Sequence, residues 1–106
     1  MITLEDVLAR IQGSALVLGV DTVPKGHIRI ETVFQYPDGD SIELFLLKDV
    51  RLTLSDLGQT ETWLSYLGLS GECTVLSMEL ESLDALLAGI EKLGREAVRI
   101  PNERVP

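Results

Sequence analysis

Four carboxylates and one lysine stand at spacings that invite a metal-chemistry reading. Pro37-Asp38 is followed by Asp40, Glu43 and Lys48, with Asp56 further on. Two carboxylates on adjoining strands can hold Mg²⁺, and a lysine beside them can assist hydrolysis of a phosphodiester. Such a lysine must follow the glutamate by two positions, because strand side chains alternate between faces. The residue at that place is Phe45, and Lys48 falls on the opposite face. A metal-dependent hydrolase using Asp38, Asp40, Glu43 or Asp56 is therefore an alternative and not the leading reading. Asp38, Asp40 and Asp49 could gather at strand turns as a weak Ca²⁺ site, or serve as turn formers bonded to their own backbone. The remaining reactive residues are single. His27 lies in a turn leading into a strand, and Cys73 lies in an apolar-leaning run that suits a buried structural thiol. One cysteine forms no internal disulfide, and no Cys/His cluster offers a zinc site. Neither G-x-x-x-x-G-K-[ST] nor G-x-G-x-x-G nor G-x-S-x-G is present. No catalytic residue, no metal and no cofactor is expected.

The stretch LTLSDLGQTETWL, residues 52–64, poses the sharper question. Leu52 and Leu54 form the inner face of a strand. Asp56 can accept backbone N–H bonds as the chain turns, and Gly58 allows a conformation that other residues resist. Thr60 is a candidate N-cap, with Ser55 or Asp56 as competitors, for a helix carrying Trp63 and Leu67 inward. The alternative is an exposed turn at which Asp56 and its neighbours bind a partner.

Positioning these residues requires a set of elements that periodicity supplies. Thr3 precedes Leu4, Val7, Leu8 and Ile11 at helical spacing, with Asp6 placed as in a capping box and Gly13 as the stop. Ala15 to Val20 reads as a first strand. His27 to Tyr36 alternates, with Ile28, Ile30, Thr32, Phe34 and Tyr36 on one face. Pro37-Asp38-Gly39-Asp40 is a turn, and Ser41 to Lys48 the return strand of a hairpin. Ile42, Leu44 and Leu46 face one way and Phe45 and Leu47 the other, so both faces of this strand call for cover. Val50 to Leu54 alternates again, a short helix runs from Glu61 to Leu67, and Cys73 to Leu80 reads as a further strand. Ser82 caps a helix with a stripe of Leu83, Leu86, Leu87, Ile90 and Leu93, ended by Gly94. Ala97 to Ile100 reads as a last strand before Pro101. The fold class is α+β: an antiparallel meander of three to five strands with N-terminal, short central and C-terminal helices packed on it. Residues 1–101 form a single domain and 102–106 a flexible C-terminal tail.

Thr32 and Phe34, then Asp38, Gly39, Asp40, Ile42 and Leu44, then Ser55, Asp56, Gly58 and Thr60 follow a recurring order. It is T-x-F, D-G-D-x-I-x-L and, some ten residues on, L-[ST]-D-x-G-x-T. Over residues 28–67 this resembles a family of small bacterial and phage proteins known as a domain of unknown function. The resemblance implies a hairpin with a D-G turn, a strand that ends in the second element before a helix, and a prokaryotic or phage setting. It implies no activity.

Charge narrows the partners. The chain has 106 residues, 17 acids against 9 Lys and Arg, and a formal charge of −8. Residues 52–81 contain Asp56, Glu61, Glu72, Glu79 and Glu81 and no Lys or Arg, hence −5 in that segment. Such a field repels nucleic-acid phosphates and attracts a basic protein surface. No direct nucleic-acid binding is expected. The apolar run Leu44 to Leu47 is far short of a membrane span, and MITLEDVLARIQ does not read as a signal peptide, so a cytoplasmic location is expected. The leading reading is a non-enzymatic binding or regulatory module acting by protein contact, with Asp38, Asp40, Asp56, Glu61 and Glu72 as candidate partner-binding residues. A phage inhibitor that imitates the charge of DNA, of anti-CRISPR or anti-restriction type, is a second alternative. With 45% hydrophobic residues and Phe45 and Leu47 needing cover, a homodimer is also expected.

Overall fold

The computed structural model describes residues 2–24, 26–48, 51–69 and 75–104. Helix α1 (Leu4–Ile11) opens with a complete capping box. The Asp6 amide donates to the Thr3 hydroxyl at 3.2 Å, and the Thr3 amide donates to the Asp6 carboxylate at 2.8 Å. Among the described residues five strands follow: β1 (Val17–Thr22), β2 (Ile28–Gln35), β3 (Ser41–Lys48), β4 (Leu52–Ser55) and, after helix α2 (Gln59–Tyr66), β5 (Ser77–Glu79). They form one sheet in the order β1-β2-β3-β4-β5, each antiparallel to its neighbour in the chain. Ser82 caps a single 3-10 turn (Leu83–Ala85) that runs into helix α3 (Leu86–Arg104). The arrangement is α+β. Of the expected strand from Cys73 to Leu80, Ser77–Glu79 is β5, while Cys73 and Thr74 lie outside the described residues.

Helix α3 contacts β2, β3, β4 and β5, and α1 contacts β1 and α3. The core lies between these helices and the even-numbered face of β2 and β3, where Ile30, Leu44 and Leu46 meet Val7, Leu86 and Ile90. Alternation on β3 is complete: Ile42, Leu44 and Leu46 are buried and the residues between them half-buried. Phe45 and Leu47, which motivated the expectation of a second copy, are half-buried and stand outside that core. Arg29 crosses their face of the sheet to meet Asp21 at 2.6 Å and Glu43 at 3.3 Å.

Two expectations at the C-terminus are corrected. Ala97 to Ile100 is not a strand, and Gly94 does not end a helix: α3 continues through both to Arg104. Gly94 is buried where the helix crosses β2, and a Cβ there would run into the Phe34 ring, 2.9 Å from Cγ and nearer still to the ring carbons beyond it. The glycine is a close-approach residue. Arg99 holds the last turns by pairing with Glu96 at 2.7 Å and Glu103 at 2.8 Å, three and four positions away on the same helix face. Pro101 lies inside the helix and its ring is buried. A proline leaves the turn short of one backbone bond, and the Asn102 amide adds a side-chain bond there, to the Val98 carbonyl at 2.7 Å. Asn102, Glu103 and Arg104, expected in the tail, therefore form the end of α3. Among the described residues, no helix is long and apolar enough to cross a membrane.

Candidate binding cleft between the hairpin and helix α2

The β2–β3 hairpin is shaped by a bulge. Its register shifts between Glu31 and Gln35, and Thr32 staples the irregularity. The Thr32 hydroxyl donates to the Ile42 carbonyl at 2.7 Å and accepts from the Phe34 amide at 3.2 Å, which satisfies a hydroxyl that is fully buried. Bulges re-aim the side chains that follow them. Here the residue that follows is Tyr36, buried, with its hydroxyl 3.0 Å from that of Thr60 on α2. The Tyr36 amide donates to the Asp40 carbonyl at 2.9 Å, and Gly39, at φ 92°, completes the turn.

Helix α2 is anchored by Asp56. Its Oδ1 accepts from the amides of Gly58 at 2.9 Å and Leu76 at 3.1 Å, and its Oδ2 from the amide of Thr60 at 3.2 Å. The residue is 0% exposed. Thr60 is thus not the N-cap, and neither is Ser55 or Asp56. Gly58 begins the helix at φ 81° without a side-chain cap bond, and Asp56 supplies the acceptor from two positions earlier. Where β4 ends, Gln59 continues its work: its Oε1 accepts from the Glu43 amide at 3.1 Å.

These anchors set a cleft of about 630 Å³ between the hairpin and one face of α2. Trp63 stacks on Tyr36 with ring centroids 5.4 Å apart and planes 12° from parallel. Its indole N–H donates to Asp38 at 3.0 Å, tying helix to hairpin. Tyr66, one turn on, is 86% exposed, and Leu67 is 52% exposed. Asp38 and Asp40 form the hairpin wall. The Asp40 backbone N–H first, and the Trp63 indole second, hold the Asp38 carboxyl below the usual carboxylate range. None of the described residues lining the cleft is Lys, Arg or His.

The residues singled out from sequence separate into distinct settings. Asp38 and Asp40 meet at the cleft. Glu43 is half-buried, 3.3 Å from Arg29 and 3.4 Å from the Gln59 amide nitrogen. Asp56 is consumed by backbone and is not at the surface. Glu61 is half-buried on α2, with one carboxylate oxygen buried and unbonded among the described residues. Lys48 reaches back to the Ile2 carbonyl at 2.9 Å. His27 is half-buried in the loop before β2. Asp49, Glu72 and Cys73 lie outside the described residues. Among the described residues no three His, Cys, Asp or Glu side chains gather as a metal site. Sequence reasoning missed the aromatic half of the cleft. The signal was present: Gln59, Trp63, Tyr66 and Leu67 share one face of a helix by their spacing.

No curated protein and no solved structure matches the chain. A family match covers residues 32–88, from the Thr32 staple through the hairpin, the Asp56 turn and α2 to the start of α3. That span is more than half of the chain, and by it the protein belongs to the family described as domain of unknown function DUF1828.

Proposed function

We propose that the protein is a non-enzymatic binding module that acts by protein–protein contact through the hairpin–α2 cleft, in a bacterial or phage setting, and that its partner presents a basic surface there. The observation that carries this reading is the aromatic cluster beside an unneutralised acidic wall. Trp63 is fixed on Tyr36, Tyr66 and Leu67 stand in solvent beside it, and Asp38 and Asp40 line the rim. Tyrosine and tryptophan dominate the energetics of protein interfaces, because they bury much area while losing few rotamers. The acidic rim supplies steering and orientation toward a basic surface. The reading rests on this cleft and not on the acidic segment 52–81 as a whole. Within that segment Asp56 is buried and Glu79 is paired with Arg51 at 2.9 Å, so these acids do not present one common face.

The test is capture of partners from native host cells by the wild-type chain and by Tyr66→Ala. Tyr66 is so exposed that its truncation leaves the fold intact. A basic protein retained by the wild type and lost by Tyr66→Ala is the expected result. A partner held equally by both sinks the assignment of the cleft.

A further inference from the structure

We propose that the occupant of the cleft is an arginine side chain of the partner protein, its guanidinium held between the Asp38 and Asp40 carboxylates and the part of the Trp63 ring that lines the cleft. This rests on the cleft being the docking surface and adds what that surface recognises. Trp63 uses one ring face on Tyr36 and its N–H on Asp38. The ring is therefore fixed in two directions, with a carboxylate at its edge. A cation in the cleft meets the exposed part of the ring and that carboxylate together, and tryptophan is the best of the aromatic partners for a cation.

The carboxylates have capacity left. Asp38 Oδ1 accepts from the Asp40 amide at 3.0 Å and Oδ2 accepts from the Trp63 indole at 3.0 Å. Each carboxylate oxygen offers two lone pairs, so each retains one for a guanidinium N–H. Asp38 and Asp40 both line the cleft, which puts two acidic residues on one wall. Arginine suits this site better than lysine. Its planar fork can stack on an indole and donate sideways to two carboxylates at once, whereas an ammonium is a strongly hydrated point charge that does neither well. Charge complementarity points the same way, with a net charge of −8 on the chain and no base among the described lining residues.

Trp63 is the only tryptophan in the chain, so its fluorescence reads the cleft without knowledge of the partner. The full chain is titrated at low salt with three end-capped tripeptides, Gly-Arg-Gly, Gly-Lys-Gly and Gly-citrulline-Gly, and separately with CaCl₂. The arginine peptide should give a saturable change. The lysine peptide should bind about tenfold more weakly, and neither the citrulline peptide nor Ca²⁺ should reproduce the change. The response should vanish in the double variant Asp38→Asn, Asp40→Asn. An asparagine at position 38 has one acceptor oxygen for two donors, the Asp40 amide and the Trp63 indole, so the variant counts only when its peptide-free Trp63 emission, circular dichroism and melting temperature match the wild type. Absence of any response to the arginine peptide overturns the proposal, as does an equal response to citrulline or Ca²⁺, or one that survives the double substitution. If arginine fails while partner capture still depends on Tyr66, the cleft docks a protein by other chemistry and only the arginine assignment falls.

Discussion

Asp56→Ala should be among the most damaging single substitutions in this protein. The carboxylate accepts three backbone N–H bonds, from Gly58, Leu76 and Thr60, in a place with no solvent exposure. A buried donor left without a partner costs about 1 to 3 kcal/mol. The Thr60 bond is long at 3.2 Å, and the space vacated by the carboxylate admits some relaxation, so the lower half of the range applies to each. The expected loss is about 3 to 6 kcal/mol, a large share of the roughly 5 to 15 kcal/mol that a domain has in hand. Asp56→Asn isolates the argument. The amide oxygen can still accept from Gly58 and Leu76, while the NH₂ group faces the Thr60 N–H, so the loss is that of one donor, about 1 to 3 kcal/mol. Urea unfolding followed by Trp63 fluorescence gives both values, provided the denaturant slope stays constant across the series. Asp56→Ala within about 1 kcal/mol of the wild type would refute the three-bond account. So would an asparagine variant as weak as the alanine one.

Gly94→Ala would ordinarily stabilise a helix interior by about 0.5 to 1 kcal/mol. Against the Phe34 ring it should instead cost about 1 to 3 kcal/mol, with the loss removed when Phe34 is cut to alanine in the same chain; a neutral single variant in thermal unfolding would show that the ring yields freely. Leu86→Ala should cost about 2 to 5 kcal/mol, since Leu86 is fully buried under the sheet, and a loss under about half a kcal/mol would place it outside the core. Asp38 has a folded pKa below its ordinary 3.8, so what it contributes is complete above that value and fades only as pH falls through the lower folded one. Trp63 fluorescence should therefore hold steady from neutral pH to about pH 4 and change below it; a transition near pH 6 would mean that Asp38 does not control the indole.

What the sequence reveals is what local geometry decides. The Thr3–Asp6 capping box, the alternation of Ile42, Leu44 and Leu46, and the Asp38-Gly39 turn each depend on residues a few positions apart, and each is legible. The C-terminus misleads because its decisive contact is distant. Gly94 carries the mark of a helix stop, and only the approach of Phe34 from β2 gives it another role. Ala97 to Ile100 has strand-like composition, yet the spacing of Glu96, Arg99 and Glu103 is a helical ion-pair pattern that could have decided the matter. The acidic half of the cleft was legible because Asp38 and Asp40 are polar residues in a turn. The other half is marked only by the shared helix face of Gln59, Trp63, Tyr66 and Leu67, a signal that an inward-facing reading of Trp63 and Leu67 masks, and nothing in the sequence shows that Tyr36 is already in place to receive the indole. Asp56 was noticed for its type, but its burial depends on Leu76 arriving from the far side of α2.

The strand order has a kinetic consequence. Every strand pairs with its neighbour in the chain, so β1 to β4 can zip from the hairpin outward through short loop closures, each with a small entropic cost, while β5 joins across the longer segment that carries α2. The helical layer is different. Helix α1 contacts α3 and Arg10 pairs with Asp84, which joins the two ends of the chain across the finished sheet. Its halves lie far apart in the chain, so this clasp is expected to close after the strands have brought them together. Substitutions in it, Arg10→Ala for example, should leave the folding rate nearly unchanged and accelerate unfolding instead. The lifetime of the native state would then be governed by the contact between its ends, while its rate of formation belongs to the hairpin that also builds the cleft.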